Sequence, residues 1–91
     1  MACCGMYHAT FAQVAQIIGA QADGYMVTRA AVDADHFVTL RDTAKGVRIT
    51  LIKDGHTGKG ADNTRVACIV IPHGATADAI AGRYSELVKM A

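Results

Sequence analysis

Apolar residues near the start of the chain recur at a helical interval, with Phe11, Val14, Ile17 and Ile18 on one stripe and Gln13 and Gln16 off it. Thr10 with Gln13 three residues later reads as a capping box. The expected helix therefore opens at Thr10 and closes at Asp23-Gly24, with Gly24 taking a left-handed exit. Residues 1–9 carry no such period and read as a lead-in to a single α+β domain over 10–91. A second stripe is clearer: Ala77, Ile80, Ala81, Tyr84, Leu87 and Val88 share a face, while Asp78, Arg83, Glu86 and Lys89 lie off it. Thr76 suits its N-cap and Asp78 the positive end of its dipole.

Between the stripes the period shortens to two. Tyr25–Ala31, His36–Arg41, Val47–Lys53 and Arg65–Ile71 are rich in β-branched residues and bounded by turn formers. The first three are joined by short connections, which favours antiparallel hairpins. The third connection, Asp54 to Thr64, is longer and holds three glycines; loops of that length often bind or move. The order α-β-β-β-β-α predicts a two-layer sandwich, an antiparallel sheet with both terminal helices on one face.

Alternation assigns the faces. If Val38, Leu40, Val47, Ile49 and Leu51 meet the helices, the other face carries Phe37, Thr39, Arg41, Arg48, Thr50 and Ile52. The fourth strand does not alternate: Val66, Cys68 and Val70 share one side, Ala67, Ile69 and Ile71 the other. Strands apolar on both faces are usually covered on both. With helices on one side only, a second copy or another protein is expected over the remaining set, and a charge at Ile69 is the substitution expected to disrupt that contact.

Composition narrows the chemistry. The chain has 91 residues, 52% of them hydrophobic, with a net charge of +1. A chain this short buries roughly two-thirds of its unfolded surface, enough for one modest core. Seven of the nine basic residues lie between Arg29 and Arg65, where five aspartates largely offset them. There is no Trp, so ring platforms for base stacking are few. Three cysteines, two of them adjacent, read as reduced thiols of a cytoplasmic protein. No apolar run approaches a membrane span and no signal peptide is expected.

Candidate catalytic motifs are thin. The loop Asp54-Gly55-His56-Thr57-Gly58-Lys59-Gly60 resembles a phosphate loop only superficially. Lys53 stands where the first Gly of a Walker A motif belongs, Gly60 where its hydroxyl residue belongs, and no helix follows. Cys3, Cys4 and His8 lack zinc-ligand spacing. Asp33, Asp35 and His36 form the densest polar cluster and fit a solvated turn better than acid–base chemistry. No cofactor, metal site or catalytic residue is assigned.

The expectation is a small non-enzymatic protein-interaction module, an adaptor or an inhibitor of the kind common in phage and plasmid systems. It docks through the open sheet face and the 54–64 loop onto a partner protein, or onto itself as a homodimer. Binding falls to Phe37, Thr39, Arg41, Arg48, Thr50, Ile52, Lys53, His56, Lys59 and Arg65. The alternative is a nucleic-acid-binding domain that uses the basic members of that set, and a small enzyme centred on Asp33, Asp35 and His36 comes third.

Overall fold

The computed structural model describes the backbone of residues 2–22 and 27–91, and the side chains of 10–22 and 27–91. Its elements run α1 (Ala2–Ile18), β1 (Gln21–Ala22), β2 (Thr28–Ala31), β3 (His36–Thr43), β4 (Gly46–Lys53), β5 (Thr64–Ile71) and α2 (Ala77–Val88), with a 3-10 turn at Gly60–Asp62. The strands form one sheet in sequence order, every neighbouring pair antiparallel. This is the α+β layout that the periodicities predict, with the two-residue strand β1 as an unforeseen addition at one edge.

Helix α1 differs from its sequence signals at both ends. It starts at Ala2, inside the segment read as a lead-in, and stops at Ile18, where Gly19 takes φ +74. Thr10 therefore lies mid-helix and caps nothing. The residue is 5% exposed, and its hydroxyl accepts a hydrogen bond of 3.0 Å from the Gly74 amide in the β5–α2 turn. Asp23-Gly24, the expected helix end, and Tyr25, the expected strand start, lie outside the described residues, as do the side chains of Cys3, Cys4 and His8. At α2 the signals hold: Thr76 is the N-cap and its hydroxyl accepts from the Ala79 amide at 3.2 Å.

The core follows from alternation. Val14 of α1 and Ile80 and Leu87 of α2 pack with Ala30, Val38, Leu40, Val47, Ile49, Leu51 and Ile71. The two helices touch each other; α1 packs on β3 and β4, and α2 on β5. Both helices therefore cover one face of the sheet. Register decides which side of β5 joins them. Ile71 pairs with Val47, Ile69 with Ile49 and Ala67 with Leu51, so this set faces the helices. Ile69 packs against the core, which corrects the expectation that it lies on the uncovered side. A charge at Ile69 would disturb the packing against the helices and so would not isolate association. The uncovered set is Val66, Cys68 and Val70.

Candidate docking surface

The open face is laid out in three rows by the strand registers. Across one end, Arg41 on β3 is directly opposite Arg48 on β4, which is opposite Val70 on β5. The middle row is Gln21, Arg29, Thr39, Thr50 and Cys68. The third is Ala31, Phe37 and Ile52, and there a register shift between Leu51 and Ile52 makes β5 bulge. The bulge puts Arg65 opposite Ile52 while Ala67 opposes Leu51, so Val66 is the extra residue. Arg29, Arg41, Arg48, Arg65, Cys68, Val66 and Val70 are all exposed, the two valines by 39% and 37%. No acidic residue belongs to these rows.

Like charges directly opposite each other in a sheet are unfavourable. Arg41 and Arg48 are such a pair, and neither has a carboxylate partner among the described residues. The near-neutral net charge of the whole chain hides this segregation, because the aspartates of the middle region sit in turns and at strand ends.

The loop between β4 and β5 folds back over the third row. Its backbone is cross-braced. The Gly55 amide donates to Asn63 Oδ1 at 3.0 Å, the His56 amide to Asp54 Oδ1 at 2.8 Å and the Thr57 hydroxyl to Asp62 Oδ2 at 2.6 Å. Gly55 passes so close to Asp62 that a Cβ there would collide with the Asp62 carbonyl. His56 takes φ +60, an uncommon conformation for a residue other than glycine. Its Nε2 meets Asp35 Oδ1 at 2.8 Å, and the Asp54 amide donates to the Asp35 carbonyl at 2.7 Å. The hydrogen bond that Asp35 accepts from the ring, helped by the Asp54 charge, raises the His56 pKa above its ordinary value. Loop and β2–β3 turn are thus tied together.

Beneath the loop is a cavity of about 250 Å³ lined by Arg29, Phe37, Asp54, Gly58, Lys59, Gly60 and Asn63. The Arg29 guanidinium carbon stands 4.0 Å from the centre of the Phe37 ring, a cation–π contact. Phe37 is only 8% exposed. It is on the open face by register, yet it is a floor under Arg29 and no free platform.

The expected site residues are therefore distributed as follows. Phe37, Thr39, Arg41, Arg48, Thr50, Ile52 and Arg65 share the open face, with Thr50 buried at its centre. Lys59 joins it through the loop. Lys53 alternates to the opposite side at the end of β4, opposite His36 and Thr64. His56 is used in bracing the loop. Arg29, Val66, Cys68 and Val70 belong to the surface but stood outside the expected binding set, the last three named only as one of the two sides of β5. For Arg29, the signal lay in its parity with Ala31 across a hairpin from Phe37, which only the register makes visible.

The polar cluster is local. The Asp35 amide donates to Asp33 Oδ1 at 2.8 Å, and His36 Nδ1 lies 2.9 Å from the same oxygen. The bond with His36, with the Asp35 amide second, holds the Asp33 carboxyl below its ordinary pKa. Among the described residues no group of three or more His, Cys, Asp and Glu side chains is placed to hold a metal. Nor is any helix there long and apolar enough to cross a membrane. No family model matches this chain, and no match arises among curated proteins or solved structures.

Proposed function

We propose that the protein is a non-enzymatic interaction module that docks its open sheet face, with the 54–64 loop at one end, onto an acidic surface of a partner protein. The carrying observation is the Arg41–Arg48 pair, two exposed arginines directly opposite each other with no carboxylate partner among the described residues. A carboxylate from outside would relieve that repulsion with charge-assisted, bidentate hydrogen bonds. The exposed strip of Val66, Cys68 and Val70 alongside supplies apolar area of the kind found at interface centres. Both histidine–aspartate contacts brace turns, His56–Asp35 exposed and His36–Asp33 partly buried, and each is spent on local structure.

An adaptor or an inhibitor in the cytoplasm fits such a surface. The test is purification of the wild-type chain and an Arg41→Glu/Arg48→Glu variant from the native host. A single protein retained by the wild type and lost from the variant supports the reading. Equal retention by both removes it.

One observation favours nucleic acid as a second reading: Arg29, Arg41, Arg48, Lys59 and Arg65 gather on one side of a nearly neutral chain. Phosphate contacts alone give binding that falls steeply with salt. Weighing against it, Phe37 is covered by Arg29 and offers no face for a base. A shift with single-stranded DNA or RNA that vanishes with added salt and with the double charge reversal would favour this reading instead.

A further inference from the structure

The edge of the sheet at β5 points to a second interface. β5 is eight residues long and pairs only with β4; among the described residues no strand lies along its other side. An edge strand exposes a row of unpaired amides and carbonyls, and proteins usually blunt it with lysine, proline or inward charges. Here the run from Val66 to Ile71 contains none of these; Arg65 and Pro72 stand outside it. The bulge at Val66 disturbs only its first end. At the opposite edge of the sheet, β1 has just two residues and gives no comparable template.

We infer that two copies of the chain associate edge to edge through β5, antiparallel about Cys68, to make one continuous ten-stranded sheet. The occupant follows from the strand itself. A two-fold axis perpendicular to the sheet keeps each side chain on its own face, so only pairings centred on a residue are allowed. Centring on Cys68 sets Val66 opposite the partner's Val70 and Cys68 opposite its own copy on the open face. On the helix face it sets Ala67 opposite the partner's Ile69. Every pair from Val66 to Val70 is apolar; the same centre sets Arg65 opposite the partner's Ile71, and no like charges meet. The three exposed apolar side chains of β5, Val66, Cys68 and Val70, meet their counterparts across the seam and stay on the open face. Because α2 packs on β5 while α1 packs on β3 and β4, α2 lies towards this edge. The two copies of α2 therefore become neighbours, adding buried surface to the strand pairing. The interface uses the backbone edge and leaves Arg41 and Arg48 available, so it and docking of the open face share the Val66, Cys68 and Val70 strip but are tested separately.

Directly opposite residues in an antiparallel pair lie about 4.5–5.5 Å apart at Cα, within the range a disulfide spans. The experiment replaces Cys3, Cys4 and Cys68 with Ser, then introduces Val66→Cys in one preparation and Val70→Cys in another. Oxidation of the mixture with diamide should give a covalent 66–70 dimer, and each variant alone should give little. The wild-type chain under reducing conditions should sediment as a dimer across the micromolar range, with alternate β5 amides protected from hydrogen exchange. A wild-type monomer throughout that range would overturn the inference. So would a dimer in which the 66–70 cross-link forms no faster than 66–66 or 70–70, since a collision or a different interface would explain it.

Discussion

At the scale of single residues, the loop is held by contacts that no sequence spacing announces. His56 and Asp35 are 21 positions apart and meet only because β3 and β4 pair in register, with His36 opposite Lys53. The neutral expectation for a glycine-rich connection is a loose tip, yet Gly55 serves a close backbone approach to Asp62. Gly55→Ala should accordingly lower stability by about 1–3 kcal/mol, as overpacking does, measured by denaturant unfolding. The raised pKa of His56 has a signed consequence. Its protonated form is favoured in the folded loop, so the contribution is full below the ordinary histidine value of 6.5 and is lost as pH rises through the higher folded value. Asp35→Asn removes the largest cause. In an NMR titration the His56 ring should then titrate closer to the ordinary value; an unchanged midpoint would show that Asp35 does not hold it.

At the scale of elements, α2 and three of the strands were legible because period and caps agree there. Thr76 caps, Ile80 and Leu87 are buried, and Val38, Leu40, Val47, Ile49 and Leu51 all face inward. Ile80→Ala and Leu87→Ala should each cost about 2–5 kcal/mol, and thermal or denaturant melting checks it. Helix α1 misled because a capping-box pattern is only local. Thr10 and Gln13 have the right spacing, but the turn of chain at Gly74 claims the Thr10 hydroxyl, and the helix continues back to Ala2. Thr10→Ala would remove the part-buried hydrogen bond to the Gly74 amide, a loss of about 0.5–1.5 kcal/mol; Thr10→Ser should restore most of it. A cap role would instead be rescued by Asp or Asn. The strand β5 was readable as apolar on both sides, but which side meets the helices depends on its register with β4. That register, shifted by the bulge, is a tertiary fact.

For the whole molecule, the candidate surface was partly legible. The set Phe37, Thr39, Arg41, Arg48, Thr50 and Ile52 shares a face as alternation requires. The sequence could not show that the loop and Arg29 bury Phe37, whereas Lys53 leaves the face by the same alternation that turns Val47, Ile49 and Leu51 inward. Nor could net charge show that arginines collect on the side away from the helices. Arginine rows exposed on a rigid sheet should tolerate reversal. Arg41→Glu together with Arg48→Glu should leave the melting midpoint near the wild-type value, as surface substitutions usually do within about 0.5 kcal/mol, while removing partner retention.

The most direct test of docking through the open face places a photo-crosslinking residue in the living host. It is put at Thr39 or Val70 on that face in one set of strains, and at Asp78 or Arg83 on α2 in the other. Counting only adducts with proteins other than a second copy of the chain, docking through the open face predicts one discrete adduct from the sheet positions, absent from the helix positions and abolished when Arg41 and Arg48 are reversed to Glu. Adducts of equal yield from both sides, or a protein adduct from α2 alone, would contradict it.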